Sequence, residues 1–304
     1  MPLVAMKDLI HHAHAGRYAI GAYQVVDSTF VRAVLDAAEA EQAPVILGFA
    51  EAHGRHYDFP ALLAAARLAA FNTSVPVSLL YDHASDQDTI AAAIRLGCQG
   101  VMADFSDQPF ADNVAATRAV VGLAHDKGVM VEGELGYVPG VSGEERLGQP
   151  ASVRLTAPAE AAEFVAATGV DCLAVAVGTV HGHLIGEPQL DLARLDAIAA
   201  AVRVPLVIHG GSGLADEEYL GLIERGVAKI NYFTALSDVA AAASSDALAN
   251  IEAGYLKAVD AVRLAVASEV KRTMRLFGAS GKAPASLMFC DVETGQSSKS
   301  HPAA

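Results

Sequence analysis

The sequence predicts an α/β protein, a single-domain (β/α)8 barrel with an extra C-terminal helix, and three observations predict it. Eight short apolar runs recur along the 304 residues, each followed by a helical pattern. The runs are continuous in hydrophobicity rather than alternating, which marks strands covered on both faces. Apolar residues make up 53% of the chain, with Ala, Val and Leu dominant and no Trp, a composition suited to helices packed on strands. Eight such units in series close most economically into a barrel. The alternative is an open doubly wound sheet, but no G-x-G-x-x-G follows the first run to supply its dinucleotide site.

The units follow in order. YAIGAY (18–23) leads into a helix over 28–42, APVILGF (43–49) into 60–70, and VPVSLLYDH (75–83) into 86–96. CQGVMADF (98–105) leads into 110–127. GVMVEGEL (128–135) is followed by a glycine-rich, charged stretch, GYVPGVSGEERLGQPAS (136–152), and then a helix over 157–168. Loops of this length inside a compact domain are usually functional, so this one reads as a lid over the barrel mouth. VDCLAVAV (170–177) leads into 190–202, VPLVIHG (204–210) into 215–225, and VAKINYF (227–233) into 235–248. A further helix covers 251–278. The barrel domain is drawn over 1–284, and the polar end of the chain, 285–304, reads as disordered.

Net charge is −14, from 35 acidic against 21 basic residues. That argues against nucleic acid and anionic membrane surfaces as partners. An anionic small molecule stays compatible, because backbone N–H groups and a metal can bind phosphate inside an acidic exterior. Cys98, Cys172 and Cys290 form no C-x-x-C, so neither a disulfide framework nor a cysteine zinc site is expected. The first residues lack a basic region followed by an apolar stretch, and no 18-residue apolar run is free of charges and histidines. A cytoplasmic protein without signal peptide or membrane span is expected.

In a barrel the carboxyl ends of the strands surround one mouth. The third run ends in Asp82 and His83, the fourth near Asp104, and the fifth carries Glu132 and Glu134. The sixth is followed by GTVHGH with His181 and His183, the seventh ends at His209, and the eighth at Asn231 with Thr234 beyond. Three histidines from three strands, interleaved with carboxylates, read as a metal site. Neutral imidazoles suit a borderline ion such as Zn2+, and three protein ligands leave a position for substrate. His83, His181 and His209 are the expected ligands, and His183 is expected to face outward. His11, His12, His14, His53, His56, His125 and His301 stand in helix, loop or tail contexts and read as structural, with HHAH (11–14) a solvated helix end. Gly210, Gly211, Ser212 and Gly213 leave backbone N–H groups uncovered where barrels build a phosphate site, after strands 7 and 8. Asn231 and Thr234 can hydrogen-bond a phosphate or hydroxyl there.

Seven stretches, YDHASD (81–86), GVMADFSDQPFADNV (100–114), VEGELG (131–136), LAVAVGTVHG (173–182), PLVIHGGSG (205–213), KINYFTAL (229–236) and RLFGASGKA (275–283), together and in this order resemble the class II, metal-dependent ketose-bisphosphate aldolases, which include fructose- and tagatose-bisphosphate aldolases. The resemblance spans about residues 3–284. It implies reversible aldol cleavage of a ketose (bis)phosphate to dihydroxyacetone phosphate and an aldehyde, through an enediolate that a bound Zn2+ or other divalent ion stabilises. It implies that Asp82 transfers the proton of the C4 hydroxyl, and that His83, His181 and His209 hold the zinc. Asp104 and Glu134 match acidic positions able to hold a second or alternative metal. Gly182, Gly210, Gly211, Ser212 and the segment from Asn231 to Thr234 match contacts to the dihydroxyacetone phosphate half. A monovalent cation near that phosphate, and a homodimer or homotetramer, are also implied. Glu144 or Glu145 of the long loop is read as the group handling the carbon-bound proton, and Arg275 as reaching a phosphate, within its own chain or across a subunit interface.

The chain departs from the family pattern at Gln24, where asparagine is general, at Ala50, where a hydroxyl is common, at Ile185, where lysine often stands, and at Phe233, where aspartate or a small residue is usual. An aldolase for a related non-fructose ketose phosphate therefore stays open, as does a non-catalytic sugar-phosphate binder, though the intact Asp82 argues against the latter. A Schiff-base aldolase needs a lysine at a strand end; the sixth run has none, and Lys229 lies inside the eighth. A metal-dependent hydrolase barrel would carry H-x-H on the first strand, and AIGAYQ has no histidine.

Overall fold

A computed structural model of the chain describes residues 3–140, 146–147, 154–184, 189–249 and 254–292. The first half runs α1 (Met6–Ala15), β1 (Ile20–Gln24), α2 (Ser28–Glu41), β2 (Val45–Ala50), a 3-10 turn (Glu51–Arg55), α3 (Phe59–Phe71), β3 (Val77–Ala84), α4 (Gln87–Leu96), β4 (Gly100–Ala103), α5 (Phe110–His125) and β5 (Met130–Leu135). The second runs β6 (Arg146–Leu147), α6 (Pro158–Thr168), β7 (Cys172–Val175), β8 (His183–Leu184), α7 (Leu192–Ala201), β9 (Leu206–Ile208), α8 (Asp216–Glu224), β10 (Val227–Tyr232), α9 (Thr234–Leu248), α10 (Gly254–Leu276) and α11 (Ala283–Phe289). The barrel closes in the order β1-β10-β9-β7-β5-β4-β3-β2, with every pairing parallel. The expected (β/α)8 barrel is thus the observed one. β6 and β8 form a separate two-stranded ribbon that ties the long loop to the segment after His181.

Strands β1, β2 and β5 are buried along their whole lengths, as the unbroken apolar runs require, and in β3 all but His83 is buried. Helix starts are set by aspartates. Asp27, Asp58, Asp86 and Asp191 accept from backbone N–H groups of Phe30, Ala61, Asp88 and Arg194 at 2.8–3.0 Å, satisfying donors that the first helical turn leaves unpaired.

Three additions to the eight units shape the ends. α1 closes the barrel floor: Leu3 bridges Val77 at the start of β3, Met6, Leu9, Ile10 and Ala13 are buried, and His14 Nδ1 reaches Gly226 O. His11 and His14 are exposed, as a solvated helix end should be, while His12 is half-buried on Tyr18. α10 lies against α2 and α9 and covers the seam between β1 and β10. There Tyr23 Oη pairs with Thr273 Oγ1 at 2.8 Å, and Tyr232 Oη donates to Glu269 at 2.6 Å. The boundary drawn at 284 is corrected by α11, whose first turn holds Pro284 and which packs on α1. Beyond it Val292 bridges Val4, so structure extends to 292; residues 293–304 lie outside the described residues. A proline suits a first helical turn because its missing N–H has no intrahelical acceptor there. The three cysteines are buried and unpaired.

Asp171, just before β7, ties the floor together. It accepts from Lys7 Nζ at 2.7 Å, His125 Nε2 at 2.8 Å and Val131 N at 2.8 Å. Burial alone would raise its pKa, but Lys7, the Val131 N–H and His125 outweigh it and leave the carboxyl below its ordinary value. A depressed carboxyl pKa stabilises the fold above the unfolded value and loses that contribution as pH falls through the folded one. Asp171→Asn is expected to cost about 2 kcal/mol at pH 7. Its gap to the wild type should narrow as pH falls below about 4, which urea melts across a pH series would read.

Candidate active site

The site begins with a defect in a strand. Side chains of neighbouring residues on a regular strand point to opposite faces, yet Asp82 and His83 both engage groups of the mouth. β3 and β4 lose register between Tyr81 and Ala84, and His83 has φ 51°, in the left-handed region. Such a conformation is costly for a residue with a Cβ and persists where surrounding contacts impose it. Here the contacts are a bond from His83 Nδ1 to Asp104 Oδ2 at 2.7 Å, and an approach of His83 Nε2 to His209 Nδ1 at 2.8 Å.

The three expected ligands do converge. Ring centroids of His83, His181 and His209 lie 4.5–5.7 Å apart, and one ligand nitrogen from each falls within 4.8 Å of the others. Carboxylates behind two of the rings fix their tautomers. His83 donates Nδ1–H to Asp104, and His209 donates Nε2–H to Glu132 Oε1 at 2.8 Å, so His83 Nε2 and His209 Nδ1 face each other as lone pairs. Carboxylate partners that orient metal-bound imidazoles in this way are a general feature of such sites. Glu132 is in turn paired with the buried Lys229 at 2.7 Å. His181 is buried with both ring nitrogens unpartnered, and its backbone N–H donates to Pro139 O at 2.8 Å.

Electrostatics match this arrangement. Burial disfavours a charged His83, but Asp82, Asp104 and Glu134 outweigh it and push its pKa up to about 10. Burial and then His83 lower His181 to about 3 and hold His209 well below its ordinary value. Burial opposes an ionised Asp104, yet the bonded His83 ring keeps it below the usual carboxylate range. Burial and Asp104 raise Glu134 to about 8. The negative potential that favours charge on His83 favours a bound cation equally. A proton could satisfy the two facing nitrogens but not His181, whereas a divalent ion serves all three. The donor set therefore fits a metal. His83, Asp104 and Glu134 form a second cluster whose ligand atoms lie within 4.8 Å of one another. Ser106 Oγ donates to Asp104 at 2.7 Å and lies 3.3 Å from Glu134 Oε1.

Beside the imidazoles lies a cavity of about 190 Å3, lined by Gly182, Gly210, Ser212, Gly213, Thr234, His183 and Asp238 among others. Gly210 has φ 63°, and a Cβ there would stand 2.2 Å from Val180 O, so only glycine fits the turn after His209. Asn231 and Thr234 sit at the end of β10 and the start of α9, next to this loop. His183 was expected to face outward. It is partly exposed, but it lines this cavity and is bonded to Asp238 at 2.8 Å.

The sequence reading did not assign roles to Glu132 and Lys229. The available signal was their spacing, each two residues before another mouth residue on its strand, Glu134 or Asn231. Arg275 pairs within this chain with Glu41 of α2 at 2.5 Å and stays largely exposed. Phe233 packs at 4.6 Å on the His53 ring and lines the cleft beside Asp82. Glu144, Glu145 and Ile185 lie outside the described residues. Glu132→Gln is expected to weaken divalent-metal binding about 10- to 100-fold and to destabilise the fold by stranding Lys229 without its counter-charge. Adding Lys229→Met should restore stability but not affinity. Chelator competition and denaturant melts check both.

The family described as Fructose-bisphosphate aldolase class-II matches residues 4–282. The fructose-bisphosphate aldolase of Geobacillus stearothermophilus is 38% identical over 288 residues, covering 93% of this chain and 99% of its own. That of Staphylococcus aureus is 37% identical over 288 residues, covering 93% and 100%. The crystal structure of the YdjI aldolase from Escherichia coli K12 aligns with a TM-score of 0.83 at 32% identity, over 92% of this chain and 99% of the other. Fructose-bisphosphate aldolase from Campylobacter jejuni, at 20% identity, a TM-score of 0.77 and coverage of 90% and 94%, shares the fold. A barrel with three convergent imidazoles, matched along nearly its whole length, thus belongs to the class II fructose-bisphosphate aldolase family, whose members are metal-dependent.

Proposed function

We propose that this chain catalyses the reversible aldol cleavage of a ketose phosphate or bisphosphate to dihydroxyacetone phosphate and an aldehyde, with Zn2+ as its resident metal. One observation carries the reading: a buried carboxylate with a free oxygen, Asp82, shares the barrel mouth with three imidazoles and a glycine-lined cavity. Three imidazole donors favour a borderline ion over a hard one. Held by His83, His181 and His209, the ion would supply a Lewis acid for the ketone oxygen.

The chain's own groups perform the rest. Backbone N–H groups from Gly210 to Ser212, with Gly182, Asn231 and Thr234, would grip the phosphate and adjoining oxygens and so set the register of the ketose along the cleft. Asp82 Oδ1 accepts the proton of the C4 hydroxyl. The O–H electrons become the aldehyde carbonyl, and the C3–C4 bond pair stays on C3. In condensation the same carboxyl returns the proton. Glu144 or Glu145 is assigned the proton on C3 as acids of the long loop after β5, and Asp104 with Glu134 an alternative metal position on the strength of the family resemblance. That resemblance also supports a monovalent cation beside the phosphate. Exposed Tyr255, Leu256 and Leu264 on α10 support a homodimer or homotetramer. No helix among the described residues is long and apolar enough to cross a membrane, in keeping with a cytoplasmic enzyme.

A panel of ketose phosphates assayed for triose phosphate release with added zinc tests the reading. One member should turn over, chelation should abolish the activity, and borohydride should trap no covalent adduct. Asp82→Ala should keep the zinc stoichiometry while turnover falls about 100-fold or more. Full activity in thoroughly demetallated protein, or an undiminished Asp82→Ala, would contradict it.

A further inference from the structure

Asp82 is fully buried, and its two oxygens are treated differently. Oδ2 accepts from Asn231 Nδ2 at 2.8 Å and from Gln24 Nε2. Oδ1 has no partner. A carboxylate only accepts, so it dictates which end of each amide faces it: the NH2 groups turn to Asp82 and the carbonyl oxygens are left over. Gln24 Oε1 and Asn231 Oδ1 are in fact buried and unpartnered, like Asp82 Oδ1. All three residues line one cleft with His83 and His181. Leaving a buried acceptor unpaired is costly, so the cleft suits a molecule that brings several hydroxyl donors.

Gln24 reaches Asp82 through space that β2 leaves open. Gln24 and Gly48 are register partners across β1 and β2. A Cβ on Gly48 would lie 2.7 Å from Gln24 Oε1, 2.8 Å from Cδ and 2.9 Å from Nε2. Gly48 is not among the glycines with positive φ, so its backbone does not demand glycine; the glutamine side chain does.

We propose that Gln24 is a positioning residue for Asp82: with Asn231 it pins Oδ2, leaves Oδ1 as the oxygen that exchanges the substrate hydroxyl proton, and depends on Gly48 for its room. This deepens the aldolase reading and rests on it. Two donors on one oxygen fix the carboxylate plane, which holds the other oxygen in the orientation that proton transfer needs.

Two variants of the zinc-loaded enzyme test it. Gln24→Met keeps the bulk and removes the donor; Gly48→Ala keeps the glutamine and takes its space. Two reactions are followed: cleavage of the active ketose phosphate, and exchange with D2O, by NMR, of a hydrogen on the hydroxymethyl carbon of dihydroxyacetone phosphate, the carbon that becomes C3 of the ketose. The exchange needs the metal but no hydroxyl-proton transfer by Asp82. Each variant is expected to lose about tenfold or more in kcat for cleavage with KM changed less than about threefold. Exchange rate and zinc content should stay within about threefold of wild type, and the double variant should fall no further than the worse single one. A loss in Gln24→Met below that size, or exchange falling in step with cleavage, overturns the positioning role. Wild-type protein inert in both reactions would instead sink the aldolase reading itself.

Discussion

His83 Nε2 and His209 Nδ1, held 2.8 Å apart with their other nitrogens bound to carboxylates, set the constraint on which the rest of the mouth depends. β3 and β9 stand four places apart in a ring of eight strands, so the two rings come from opposite walls and meet near the axis. The distance between them is therefore a property of the closed barrel. It requires the bulge in β3, the left-handed φ at His83 and unbroken parallel pairing around both arcs. The carboxylates are part of the same constraint, because a flipped tautomer on either ring would present N–H where a lone pair belongs.

Placing so many charges in a barrel core has to be offset locally. Lys229 and Glu132 are fully buried and pair at 2.7 Å, with Glu132 also holding His209. A buried pair of this kind contributes little net stability compared with apolar residues of similar size. Its presence is better explained by what it orients. The mouth thus separates into a lower layer, where charges neutralise one another and fix geometry, and an upper layer at His181, Asp82 Oδ1 and the amide oxygens of Gln24 and Asn231, where polar atoms lack partners. The unpartnered atoms of Gln24, Asp82, His181 and Asn231 share one cleft of the mouth, and the Glu132–Lys229 pair sits two residues earlier on β5 and β10, before Glu134 and Asn231.

Much of this was legible in the chain. Continuous apolar runs followed by helical patterns gave the eight units, and His83, His181 and His209 were visible because each interrupts or closely follows a run that would otherwise be core. What stayed hidden depended on tertiary contacts. The β3 bulge has no local signal, since His83 adopts its φ under the pull of Asp104 and His209. Lys229 looks like an ordinary charged residue within a strand until Glu132 appears across the barrel. The Arg275 pair with Glu41 was hidden because α10 packing on α2 brings together residues far apart in the chain. α11 was missed because it is short, buries Ala283 and Ser286 rather than its large apolar side chains, and is anchored through α1 and the Val4–Val292 bridge, elements from the other end of the chain.

The strand glycines show how one device serves both structure and chemistry. Glycine within a strand is unfavourable on propensity and often marks close approach by another group. In β4 the space above Gly100 is taken by Met6 of α1, and a Cβ there would meet its sulfur at 2.2 Å; in β5 the space above Gly133 is taken by Phe164 and Val170 at 2.9 Å. Those two let side chains from the helical shell and the floor pack against the sheet. Gly48 follows the same logic with a different occupant: the space goes to Gln24, a polar side chain that contributes a donor to Asp82 rather than apolar contact. Read as spaces, these glycines are each half of a pair, and the identity of the partner tells whether the pair serves the core or the mouth.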